Sequence, residues 1–263
     1  MTDPALLRRL SANVQAAAAE GREVFDIGPY RAFLDPATDL IYLNYAVPAR
    51  PAADWGGALD ELAAAFAARG RRLRFEFFAD EWPDLAPALE AAGLVREAAN
   101  PLMLLTAPNL RIPPPGAGRV HLLAADDPDA VYLDYYRTGA IGFGMAETGQ
   151  DDRAAAARDR PRVAAGRLLP AISYLEDGTP AAVGCLMASA GVAEMAGVAT
   201  IPGARRRGLA ARLCHALLAD GFARGVELVW LGAGDEGAAA LYASLGFKAA
   251  GAQLAYAAPG GPG

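Results

Sequence analysis

The chain has 263 residues, 54% of them hydrophobic and 21% charged, enough apolar side chain for one large core or two small ones and too much for a disordered chain. The net charge is −6, and the parts before and after residue 115 are both acidic, which excludes nucleic acid as a partner because phosphate backbones are held by basic surfaces. Cysteine is limited to Cys185 and Cys214 in apolar settings, too few for a disulfide framework or a thiolate zinc site, so both are expected to pack as free thiols in a reducing compartment.

Residues 1–10 carry Asp3, Arg8 and Arg9 and lack the apolar run of a signal peptide. No stretch approaches the roughly 18 to 20 uncharged apolar residues of a membrane span, so a cytoplasmic protein without membrane contact is expected. The clearest break is residues 107–118, APNLRIPPPGAG, where three prolines in a row exclude helix and central strand. It predicts a linker between a first domain, residues 1–106, and a second, residues 119–257, with a disordered tail at 258–263.

After the linker, residues 120–123 predict a short strand and 127–136 a helix with Pro128 in its first turn. Residues 168–175 and 181–188 predict strands joined at a Glu-Asp-Gly-Thr turn, and 192–201 a third strand ended by Pro202-Gly203. Leu209, Leu213 and Leu217 recur at i, i+4 and i+8 within 206–224, the pattern of an amphipathic helix, which Gly225 stops. A strand at 227–231, a helix at 238–245 closed by Gly246, and a strand at 253–257 complete the pattern. The fold class expected is α/β with a mixed sheet.

The two parts repeat each other in outline. Residues 68–75 lie over 223–230 at an offset of 155, and 85–94 over 238–247 at an offset of 153, which reads as a tandem duplication. Gly232-Ala233-Gly234-Asp235-Glu236-Gly237 spells G-x-G-x-x-G between a strand and a helix. A dinucleotide fingerprint also needs an acidic residue about 20 positions on, and none follows Glu236. A glycine-rich turn remains.

The informative segment runs from Ile201 to Ala210 and contains Arg205-Arg206-Arg207-Gly208-Leu209-Ala210. It joins a strand to a long helix, so unpaired N–H groups and the positive helix end converge where a pyrophosphate would sit. Gly208 and Ala210 let the backbone approach, and the three arginines add positive charge to an acidic chain. This segment resembles the R/Q-x-x-G-x-G/A motif of the GCN5-related N-acetyltransferases, with Arg205, Gly208 and Ala210 in order and spacing. Asp235, Ala238, Leu241, Tyr242, Gly246 and Phe247 resemble that family's next helix, N-x-x-A-x-x-L-Y and a G-F pair, except that Asp235 stands for its asparagine.

The resemblance covers about residues 118 to 257. It implies an N-acetyltransferase that binds acetyl-CoA, uses no metal, acts as a monomer or homodimer, and passes the acetyl group directly to a primary amine of a small molecule or peptide. It places Val198, Ala199, Thr200, residues 205–210, Asp235 and Ala238 at the cofactor. Val198 N–H would polarise the thioester carbonyl, Thr200 would pair with the pantetheine arm, and Tyr242 would protonate the departing thiolate. An attacking amine must be neutral, and Glu194, eleven residues before Arg205, stands where some members hold a catalytic glutamate; a solvent-facing strand residue is its alternative. Tyr135, Phe143 and Glu147 fall where the family walls its acceptor pocket; a plain contact between helix and core is the alternative. His121 and His215 sit in apolar patterns and read as structural.

At the same offsets the first part has Ala53 under Gly208, Trp55 under Ala210 and Leu89 under Tyr242. It resembles the family's later half without its chemistry, which implies a degenerate copy that shapes or covers the second. The other reading of the chain is an acyl-CoA-binding regulatory module that transfers nothing.

Overall fold

The computed structural model describes residues 2–116, 118–145 and 152–259. In chain order its elements are α1 (Pro4–Ala19), β1 (Glu23–Ile27), β2 (Tyr30–Leu34), β3 (Tyr45–Pro48), α2 (Leu59–Ala67), β4 (Arg74–Phe78), α3 (Leu85–Ala91) and β5 (Val95–Thr106). After these come β6 (Arg119–Leu122), α4 (Asp129–Gly142), α5 (Asp152–Ala164), β7 (Leu168–Tyr174), β8 (Pro180–Ser189), β9 (Val192–Thr200), α6 (Leu209–Ala223), β10 (Leu228–Gly232), α7 (Glu236–Ser244) and β11 (Lys248–Ala257). The chain divides into two compact units, the first containing residues up to 102 with 232–234 and those from 249 on, the second 103–231 with 235–248.

In the first unit α1 starts at Pro4, with the Asp3 carboxylate accepting the Ala5 N–H at 2.9 Å. Its Leu7, Leu10, Val14 and Ala18, three or four apart, form the buried stripe. Strands β1, β2 and β3 pair antiparallel in sequence, β3 and β4 run parallel through Ala46 and Phe75, and β11 pairs antiparallel with β4 from Gln253↔Phe78 to Ala257↔Arg74. Tyr30, Trp55, Leu62, Phe66, Phe75, Leu85, Leu89 and Tyr256 are buried in one apolar cluster. The order β3-α2-β4-α3 with a parallel strand pair matches β9-α6-β10-α7 of the second unit.

The expected boundaries shift at both ends of the second domain. Strand β11 belongs to the first unit, because Leu254 and Tyr256 alternate into its core and β4 supplies the ladder. Ala258 is tied as well, its N–H donating to Leu73 O at 3.0 Å and its carbonyl accepting Arg72 Nε at 2.8 Å. Residues 260–263 of the expected tail lie outside the described residues.

The described part of the 107–118 segment lies in the second unit and is held there by hydrogen bonds. Arg111 N–H donates to Leu245 O at 3.0 Å, and Arg212 Nη1 donates to Gly118 O at 2.8 Å and to Gly116 O. Gly246, at φ +105°, leaves room for Asn109 O, which would stand 1.9 Å from a Cβ there. Gly246→Ala therefore combines backbone strain with overlap on a carbonyl and is expected to destabilise the protein by about 2 to 4 kcal/mol, read as a lower urea midpoint at unchanged slope.

In the second unit β6, β7, β8 and β9 pair antiparallel in sequence, and β9 pairs parallel with β10. Helix α6 buries Leu209, Leu213, Leu217 and Leu218, the predicted stripe. It begins at Leu209, later than the predicted 206, because Arg206 at φ +63° and Gly208 at φ +78° are left-handed. Helix α5 has no counterpart among the predicted elements. Its sequence, DRAAAARDRPRVA, contains Pro161 and no apolar period, and only Ala155, Ala156, Asp159 and Val163 are buried.

Candidate functional site

Strands β9 and β10 pair at three positions only, Val192 with Leu228, Ala193 with Val229 and Glu194 with Trp230. Past Glu194 they part, leaving the β9 edge at residues 195–200 without ladder bonds to β10. On the other side of β9, Val183 pairs with Ala199 and Cys185 with Ala196, so Gly184 alone faces Gly197 and Val198. This is a β-bulge, with Gly197 at φ +63°. The extra residue shifts the side-chain alternation. Ala196 packs beside Cys185 and Val163 of α5, whereas Val198 shares the space in front of Gly184 with Leu213 and Leu217 of α6.

A cleft of ≈ 820 Å³ opens where the strands part. Val198, Ala199 and Thr200 form one wall, the loop at Ala204, Arg205 and Arg206 and the start of α6 at 208–211 a second. Asp235 and the first turns of α7, with Tyr242, form a third, and Gly142 and Phe143 at the end of α4 complete it. The two left-handed residues before Leu209 turn the first N–H groups of a 15-residue helix toward this space, where their geometry and the helix dipole favour negative charge.

The structure sorts the three arginines. Arg206 borders the cleft. Arg205 also borders it, but its guanidinium donates to two carbonyls, Nε to Thr200 O at 3.2 Å and Nη2 to Gly142 O at 3.0 Å. Arg207 is not among the cleft-lining residues. It lies toward the β7–β8 turn, where Thr179 holds the Asp177 carboxyl below its usual range and Arg207 lowers it further. Leu209 reaches the cleft from a buried position, and Ala210 lines it without bulk.

Tyr242 is 8% exposed, borders the cleft and stacks edge-on against Phe247 at 5.7 Å. Its hydroxyl makes no hydrogen bond among the described residues. Burial, followed by the nearby Cys214 and Asp235, raises its phenol above the ordinary range, so the proton stays on. Asp235 caps α7, its Oδ1 accepting the Ala238 N–H at 2.7 Å. The carboxylate thus does the capping that an asparagine would do equally well.

Glu194 is half-buried and does not line the cleft. It stands opposite Met187, upstream of the bulge, roughly 13 Å along the strand from Val198 at about 3.3 Å per residue. Its charge acts on Cys185, whose thiol burial pushes up to about 12. Tyr135 is likewise outside the cleft lining. Burial, followed by the neighbouring Cys185, raises its phenol well above the usual value. Phe143, 57% exposed, does line the cleft, and Glu147 lies outside the described residues.

Beside Tyr135 is a group that the sequence pattern did not single out. Asp159 of α5 is 8% exposed, with Oδ2 accepting Tyr136 Oη at 2.8 Å and Oδ1 accepting Arg162 Nη1 at 2.9 Å. An aspartate flanked by Arg158 and Arg160 in an aperiodic segment was the available signal. Gly142 was also missed, since a glycine late in a helix carries no periodic mark. A Cβ there would fall 2.7 Å from Ala199 Cβ, so its absence lets α4 press onto β9. Among the described residues no three His, Cys, Asp or Glu side chains group as a metal site, and no helix is long and apolar enough to cross a membrane.

The first unit has a different construction at the corresponding loop. Asp54 folds back on it, Oδ1 accepting the Gly56 N–H at 2.8 Å. Trp55 is buried against Tyr30 at 5.9 Å and Trp82 at 5.6 Å, and Tyr30 Oη donates to Trp55 O. Leu89 is fully buried in the same core.

Residues 143–247 match the family model Acetyltransferase (GNAT) family. Among solved structures the chain is similar to a GCN5-related N-acetyltransferase from Kribbella flavida, at 24% identity and TM-score 0.78 over 97% of this chain and 96% of that one. It is also similar to one from Sphaerobacter thermophilus, at 16% identity and TM-score 0.65 over 98% and 95%. A tandem GNAT protein from the clavulanic acid biosynthesis pathway matches at 18% identity and TM-score 0.60 over 90% of this chain and 80% of that one. No curated protein matches the chain. The mixed α/β fold is that of the GNAT acyltransferases, and the matched segment contains every cleft-lining residue except Gly142.

Proposed function

Taking the GNAT match over residues 143–247 as premise, we propose that the protein is an acetyl-CoA-dependent N-acetyltransferase that acts on a primary amine of a small molecule or peptide in the reducing interior of the cell. The observation that carries this reading is the meeting, in one cleft, of a helix N-terminus opened by Gly208, the free edge of β9, and the un-ionised phenol of Tyr242.

The α6 N-terminus and Arg206 hold the pyrophosphate, and the parted edge of β9 lets the pantetheine amide groups pair with backbone. Val198 N–H meets the thioester oxygen, where a donor fixed by the bulge stabilises the charge that develops when the amine attacks. Tyr242 returns a proton to the thiolate as the C–S bond breaks. Direct transfer follows from the cysteines. Both are buried and their thiols pushed up to about 12, so neither supplies a thiolate nucleophile. Glu194 takes the amine proton through intervening water, since it stands back from the cleft.

The first unit is a degenerate copy that binds no CoA, because Asp54 and Trp55 occupy its loop and Leu89 stands where a phenol is needed. Calorimetric titration is expected to give one acetyl-CoA per chain. Two would overturn the degenerate-copy reading. Release of free CoA thiol in the presence of a panel of amines and peptides tests the activity itself, and acetyl-CoA binding without turnover on any of them would favour a regulatory module.

A further inference from the structure

The motif arginine nearest the strand is bonded in a way that a phosphate ligand would not be. Arg205 spends Nε on Thr200 O, at the end of β9, and Nη2 on Gly142 O, at the end of α4. The two ends it bridges are already in close contact, a Cβ on Gly142 falling 2.7 Å from Ala199 Cβ and 3.2 Å from Thr200 N. The residue that follows α4, Phe143, is part of the cleft wall, and the next residue after Arg205, Arg206, opens the left-handed loop. One guanidinium therefore joins three pieces: the strand end, the anion loop and the last turn of α4. A planar fork with separate N–H groups suits two carbonyls at once, which a lysine ammonium on a flexible stem does not reproduce.

We infer that Arg205 is a positioning residue that couples the cofactor loop to the α4 wall, fixing the end of α4 when an anion fills the loop, rather than holding the pyrophosphate with its own side chain. Seating the phosphates orders residues 206–211, and Arg205, rigidly attached to that loop, transmits the ordering to Gly142 and Phe143 through a charge-assisted bond. The inference rests on the acetyl-CoA reading of the cleft.

Amide hydrogen exchange with and without saturating acetyl-CoA tests it. The last turn of α4 is a sensitive reporter, since Phe143, Gly144 and Met145 N–H close it on Gly139, Ile141 and Ala140 carbonyls. In the wild-type protein acetyl-CoA is expected to slow exchange in both 206–211 and 140–145. In Arg205→Met and in Arg205→Lys protection of 206–211 should persist, acetyl-CoA affinity should stay within about threefold, and the protection of 140–145 should disappear. A loss of affinity of about tenfold or more, as expected for a direct charged contact to phosphate, or unchanged protection of 140–145 in the variants, overturns the coupling role. Absence of protection at 206–211 in the wild-type protein overturns the cofactor assignment, and this inference with it.

Discussion

Gly208→Glu is expected to abolish acetyl-CoA binding while leaving a folded protein. Gly208 is the N-cap of α6 at φ 78° and ψ 2°, a conformation that costs an L-residue about 1 to 2 kcal/mol. Space is not the obstacle, since a Cβ there would meet only Gly116 Cα, at an ordinary 3.6 Å. The position is exposed, so the strain should lower the unliganded melting temperature by only a few degrees. The carboxylate, however, stands at the N–H groups and positive helix end proposed to hold the pyrophosphate, and it repels the same anion. Losing two or three charge-assisted N–H contacts, at about 1.5 to 3 kcal/mol each, is a loss of well over a hundredfold in affinity. In a thermal-shift titration the wild-type protein at about 100 times Kd gains about 2.7 kcal/mol, whereas Gly208→Glu should gain nothing. Gly208→Ala, carrying the strain without the charge, should fall between. Full stabilisation of the Glu variant by acetyl-CoA would remove the pyrophosphate from this loop.

The reasons why this loop was legible in the chain also explain what was not. An anion loop needs positive φ, small residues and a helix start, and all three leave marks in local sequence at Gly208, Leu209 and Ala210. The stripe of α6 and the cap of α7 are local too, so those elements stood out. Three features depend on pairing between distant residues and left no such mark. The bulge at Gly197 and Val198 exists only relative to Gly184, thirteen or fourteen residues away. The place of β11 beside β4 is decided by a ladder between residues 74–78 and 253–257, which periodicity cannot choose. The proline-rich segment 107–118 looks like a free linker because its backbone is barred from helix and strand. Its ties to Leu245 and Arg212 are tertiary.

Side-chain assignments divide in the same way. Tyr242 and Asp235 fall where local helix geometry puts them, whereas Arg205, Arg207, Tyr135 and Glu194 depend on which neighbour claims each group. Arg205 found two carbonyls, Tyr135 the Cys185 thiol, and Arg207 the side toward Asp177. The motif's spacing locates the loop, and tertiary competition for the guanidinium groups decides what each arginine does. Helix α5 is the extreme case, since its one buried polar group, Asp159, is partnered by Tyr136 of another helix as well as by Arg162.

Tyr242→Phe is expected to lower kcat by about a hundredfold, the lower end of what a positioned general acid contributes, with acetyl-CoA affinity unchanged within about threefold. The substitution keeps the ring that packs against Phe247 and removes a hydroxyl that no other described residue needs, so stability should hold. Its pH dependence fixes the sign of the argument. Burial raises the phenol above its ordinary value near 10, so the acid form persists through that pH and is lost only at a higher one. An acid acting through this proton therefore produces no fall in kcat between pH 7 and about 9.5. A descending limb in that window, shared by the wild-type protein and Tyr242→Phe, would belong to another group. One that disappeared in the variant would mean that Tyr242 ionises early, against the burial that holds it neutral. Equal kcat in both proteins would leave the departing thiolate to solvent and remove Tyr242 from the chemistry.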